Sequence, residues 1–141
     1  MSAETLVLAF IERVWNGGEL DAIPQFIAPD YAIEGAAVGP AWVQTNVGGF
    51  RTAFTDLSMT VERVVSNETQ VAVLVRLDAV HTGLWKGFAA TGRVVSYREA
   101  AFWEVDPERN MIVSGDFVAD TLMARMQLGI VSADVWRGSD T

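Results

Sequence analysis

The chain has 141 residues and a net charge of -8, and half of its residues are hydrophobic, which suits one domain around one core. An acidic chain with no basic stripe argues against a nucleic-acid partner and against an anionic membrane surface. With no Cys and one His there is no disulfide, no thiol nucleophile and no thiolate metal site, and little basis for zinc. No basic leader opens the chain and no apolar run approaches the ~20 residues that span a bilayer, so a cytoplasmic location is expected.

The first helix is predicted from Ala3 to Trp15, with Leu6, Phe10, Ile11 and Val14 at helical spacing behind a Ser2 cap. Asn16-Gly17-Gly18 ends it. A shorter helix runs from Glu19 to Ile27 and breaks at Ala28-Pro29-Asp30; a strand follows from Tyr31 to Gly35, then a loop over Ala36 to Pro40. A third helix, Ala41 to Phe54, carries Trp42, Val43, Val47, Phe50 and Phe54 on one side. Four strands follow, Ser58–Ser66, Gln70–His81, Arg93–Glu104 and Met111–Asp120, then a helix from Thr121 to Leu128 and a tail after Ser132 that is expected to be loose. Helices first and long strands after is an α+β order: a curved antiparallel sheet wraps around the N-terminal helices as a cone-shaped barrel and encloses one apolar cavity. One domain covers residues 1–141, with its core at about 3–130.

In the last strand, alternation puts Asp116 and Asp120 on one face with Ile112, Ser114 and Val118, while Met111, Val113, Gly115, Phe117 and Ala119 form an apolar face. The two acids are then either solvated on the outer side of a half-buried strand or set in a pocket as acid and base. His81 shares a face with Val71, Val73, Val75, Leu77 and Ala79 and should end a buried surface, as a satisfied core histidine or as a polar group that orients a substrate carbonyl. In the fourth long strand, alternation separates Tyr97 and Glu99 from Arg98, and either set is free to point inward.

The segments Val14-Trp15-Asn16-Gly17-Gly18-Glu19-Leu20-Asp21, Phe26-Ile27-Ala28-Pro29-Asp30-Tyr31, His81-Thr82-Gly83 and Thr91-Gly92-Arg93, with the acid closing the last strand, resemble SnoaL-like polyketide cyclases of the nuclear transport factor 2 superfamily. The resemblance spans roughly residues 5 to 130. It implies that Asp120 matches the family's acid/base aspartate, moving a proton on the carbon next to a carbonyl without a metal or organic cofactor. Burial in an apolar cone would raise the pKa of such a carboxylate above its usual ~4. It also implies a homodimer, paired through the convex sheet face. Glu34-Gly35 stands where many relatives carry His-Gly, and Asp116 where relatives often carry an aromatic residue, so the pocket is expected to be more acidic than is usual in the family.

On this reading the catalytic candidates are Asp120, His81 and Asp116. The substrate-binding candidates are Glu34, Tyr31, Asn46 and Arg98 with an aromatic wall of Trp42, Phe50, Trp85 and Phe88. Trp85 to Ala90 is apolar for a loop and reads as a lid or rim. Three functions compete: a cofactor-independent cyclase or isomerase of a small hydrophobic polycarbonyl substrate, an epoxide hydrolase or dehydratase on the same cone, and a non-catalytic module binding a small ligand or a partner.

Overall fold

The computed structural model describes residues 1–132; the expected loose tail lies outside them. Helix α1 (Ala3–Phe10) starts where the Ser2 hydroxyl accepts from the Thr5 N–H, and it continues as a wider π-helical stretch over Ile11–Asn16. Leu6, Val7, Phe10, Ile11 and Val14 are buried along its inner side. After a 3₁₀ turn at Leu20–Ala22 comes α2 (Ile23–Phe26), with Pro24 in its first turn, where the missing N–H has no partner to lose.

Strand β1 (Ile27–Ile33) follows at once, so Ala28-Pro29-Asp30 lies within a strand and does not merely break a helix. Proline is tolerated there because the ladder to β6 is interrupted between Ile27 and Ala32. Glu34 and Gly35 both have positive φ, 50° and 79°, and turn the chain into β2 (Ala36–Ala37). Helix α3 (Gly39–Ala53) then passes directly into β3 (Phe54–Ser66), which begins four residues earlier than predicted. Phe54 pairs with His81 and Thr55 with Val80, and the register is then broken up to Ser58, with Asp56 at φ 53°. Strands β4 (Gln70–His81), β5 (Val94–Asp106) and β6 (Met111–Ala119) and helix α4 (Thr121–Gln127) lie within a residue or two of their expected bounds.

The sheet order is β2-β1-β6-β5-β4-β3, with β2 and β3 left as edges, so the curved sheet does not close. All neighbours are antiparallel except β1 and β6, which run parallel. The concave face packs on the helices: Val71, Val73, Val75, Leu77, Ala79 and His81 of β4 are buried, as are Val95, Tyr97, Ala101 and Trp103 of β5. Each large apolar side chain sealed this way contributes roughly 1.5–3 kcal/mol. Among the described residues no helix is long and apolar enough to cross a membrane.

Candidate active site

A cavity of about 230 Å³ lies between the concave sheet face and the helices. Phe10 and Trp15 come from α1 and its π-helical extension, Tyr31 from β1, and Trp42, Val43, Asn46, Val47 and Phe50 from α3. The sheet supplies Leu77, Tyr97, Glu99, Trp103, Phe117 and Ala119; Trp85 and Lys86 come from the β4–β5 connection and Thr121 from the start of α4. The aromatic rings interlock: Trp15 meets Phe50 edge-on at 5.9 Å, Phe50 stacks on Phe54 at 4.6 Å, and Trp103 meets Phe117 edge-on at 5.7 Å.

Glu99 is the only carboxylate among these lining residues. Its neighbours in phase on β5, Tyr97 and Ala101, are buried, and it pairs across the sheet with Val75 and Ala119, so alternation leaves it no route to the outer face. Burial raises its pKa above the ordinary carboxylate value. Tyr97, two residues before it on the same face, also has a raised pKa, through burial and then the nearby Glu99 charge. Tyr31 is pushed up to about 12 by burial, opposed by hydrogen bonding from Trp103 and helped by the charge of Asp116. Both phenols therefore keep their protons at neutral pH and can donate hydrogen bonds.

Asp120 and Asp116 were expected in this cavity, and the structure turns both outward. Asp120 is exposed and is the N-cap of α4, its Oδ1 accepting from the Met123 N–H at 3.1 Å. Asp116 is exposed opposite Phe102 on the convex face. The physical reason is register: Asp116 pairs with outward-facing Phe102, Asp120 lies past the strand as a helix cap, and a β-bulge separates their phase from that of Ile112. Ser114 pairs with Glu104 but Ile112 pairs with Val105, so the strand changes phase between them. Ile112 is thus buried with the core, while Asp116 and Val118, which nominally share its face, lie outside. Gly115, Phe117 and Ala119 take the inner face.

Of the other candidates, Tyr31, Trp42, Asn46, Phe50 and Trp85 do line the cavity. Glu34 does not: it occupies an exposed tight turn. Arg98 points outward and pairs with Glu62 at 2.9 Å, as Arg76 pairs with Asp78 at 2.9 Å on the same outer side. Phe88 lies outside the lining set and holds Trp85 through a two-way backbone bridge, at 3.0 and 2.8 Å. His81 is fully buried behind the wall, 5.2 Å from the Phe54 ring and 6.4 Å from that of Trp85. Its Nδ1 lies 3.1 Å from the Thr91 hydroxyl oxygen and 3.3 Å from the Thr91 backbone nitrogen, and its Nε2 is a buried atom with no hydrogen-bond partner among the described residues.

The chain is thus an open α+β cone around an aromatic cavity whose lining holds one desolvated acid. The family model described as SnoaL-like polyketide cyclase matches residues 5–128, and the chain belongs to that family. The fold is similar to TsrD from Streptomyces laurentii, with a TM-score of 0.81 and 19% identity over 91% of this chain and 95% of the other. It is also similar to a SnoaL-like polyketide cyclase from Agrobacterium tumefaciens, with a TM-score of 0.79 and 19% identity over 92% and 99%. AclR from Streptomyces galilaeus gives 0.79 and 24% over 96% and 88%. No curated protein matches the sequence.

Proposed function

We propose that this protein is a cyclase or isomerase that acts without a cofactor on a polyketide-like or other polycarbonyl substrate, with Glu99 as its proton-transfer group. The observation that carries this reading is the placement of Glu99, the one carboxylate on an aromatic wall, with its proton affinity raised by burial. As a carboxylate it takes the proton from a carbon flanked by carbonyls. The Tyr97 hydroxyl and the Asn46 amide are donors for the charge that develops on the carbonyl oxygen. The resulting enolate carbon attacks a second carbonyl of the folded chain, closing the ring, and protonated Glu99 returns its proton to the new alkoxide. The cavity's further contribution is to hold the two carbons in a near-attack arrangement.

The family resemblance assigned this role to Asp120. Its exposure and its capping hydrogen bond favour Glu99 instead. Turnover of a synthetic β-polyketone separates the two. Glu99→Gln is expected to lower kcat by about 100-fold or more, with affinity retained within several fold. Asp120→Asn keeps a good helix cap and is expected to retain most of the rate. The reverse pattern would overturn the assignment, and no turnover by the unaltered protein would favour the binding-module reading. The hydrolase reading is not favoured, since Asp116 and Asp120, the two strand acids that could serve as acid and base, both lie outside the cavity lining. We further propose that the protein works as a homodimer paired through the convex sheet face.

A further inference from the structure

Lys86 is the only lysine in the chain, and it is the only cationic residue among those lining the cavity. In a protein of net charge -8 that placement calls for a reason. Lys86 and Gly87 form the two central positions of a tight turn, both at positive φ (48° and 84°), between Trp85 and Phe88, whose backbones bridge each other. The turn fixes the direction in which the lysine side chain leaves the backbone. The ammonium lies 5.4 Å from the centre of the Trp85 ring, and that ring is itself buried against Phe54 and His81. The charge is thus parked on the wall of the cavity, and no carboxylate among the described residues lies within 4.0 Å of it.

From this we infer that Lys86 selects substrates with an anionic end, a carboxylate or an ionised enol or phenol, and pairs with that end at the rim while the carbonyl-bearing part enters the aromatic cavity. At about 230 Å³ the cavity is smaller than the ~300–1,000 Å³ of sites for drug-sized ligands, so it takes one or two rings or the reacting end of a longer chain. The two charged lining groups then have separate tasks. Lys86 holds the anionic end, and Glu99 serves the carbonyl-bearing part of the same ligand. Lys86 is exposed at the mouth, where its charge attracts an anionic end and gives a neutral analogue's end no such attraction. Lys86's task rests on the cavity being the substrate site; Glu99's chemistry does not depend on Lys86.

The probes are 2-naphthoate and its neutral counterpart 2-naphthamide, with binding read by quenching of tryptophan fluorescence and by calorimetry. The unaltered protein is expected to bind the acid about tenfold more tightly than the amide, with the difference shrinking as salt is raised. Lys86→Met should abolish the preference while leaving the amide's affinity unchanged, and Lys86→Arg should restore it. Equal affinities in the unaltered protein, equal losses for both probes on Lys86→Met, or no binding of either probe overturns the inference. A covalent adduct at Lys86, trapped with cyanoborohydride from 2-naphthaldehyde, also overturns it, because the amine would then be a carbonyl nucleophile. Loss of turnover in Glu99→Gln is read separately, so the proton-transfer assignment can survive a failure here.

Discussion

At the scale of single residues, Glu99 concentrates the conflict between stability and activity. A carboxyl whose pKa is raised in the folded state binds its proton more tightly there than in the unfolded chain. Its contribution to stability is therefore most favourable at acid pH and declines as pH rises from the ordinary carboxylate range through the raised folded value. Glu99→Gln should leave the melting temperature little changed at acid pH and raise it above that of the unaltered protein at neutral pH, as thermal denaturation across pH would reveal. The same titration should appear as the ascending limb of kcat/KM, displaced above the ordinary carboxylate range. Tyr31 ionises only near 12 and contributes no descending limb at neutral pH.

At the scale of elements, two joints hold the cavity walls in place. Asn16, at the end of the π-helical stretch, donates to the Met59 carbonyl at 3.0 Å and accepts from the Met59 N–H at 2.7 Å, so one side chain stands in for a strand partner just after the broken register of β3. Arg51 of α3 donates to the Trp15 and Asn16 carbonyls, tying that helix to the same corner. Asn16→Ala should cost about 1–3 kcal/mol in chemical denaturation. Asn16→Asp should not restore the loss, because it keeps the acceptor but sets a second oxygen against the Met59 carbonyl. On β6, a Cβ at Gly115 would lie 2.6 Å from the Tyr31 hydroxyl oxygen and 2.8 Å from Phe117 Cζ. Gly115→Ala should therefore destabilise the fold by about 1–3 kcal/mol and weaken ligand binding, since Tyr31 must move out of the wall.

At the scale of the whole molecule, the two faces of the sheet have different requirements. The concave face is covered by helices, whereas on the convex side Phe102 is 53% exposed and Val118 71%, with Val65 at the neighbouring end of β3 at 74%. In the proposed homodimer a second subunit covers these apolar groups. Light scattering should report a dimer that Phe102→Glu with Val118→Lys converts to a monomer, and melting of the unaltered protein should then depend on concentration. An unchanged mass for the double variant would sink that arrangement.

Much of this molecule was legible in the amino-acid pattern. Apolar periodicity located the long strands and helices, because a period near 3.6 or 2 follows from backbone geometry and survives whatever the chain packs against. The order and spacing of several segments, Trp15-Asn16-Gly17-Gly18 and Ala28-Pro29-Asp30 among them, pointed to the family, since such turns are required by local geometry. Glu99 was partly legible too: in its phase of β5 it is the single acid among Val95, Tyr97, Ala101, Trp103 and Val105, the mark of a polar group on a buried face. What periodicity could not reveal is which phase of β5 faces the helices and where β6 slips by one residue. Those are decided by pairing across the sheet, and a bulge of one residue exchanges inside for outside. Register with β4 and β5 is why Asp116 meets solvent while Glu99 meets the cavity, and the slip is why Ile112 does not share the outward phase of Asp116.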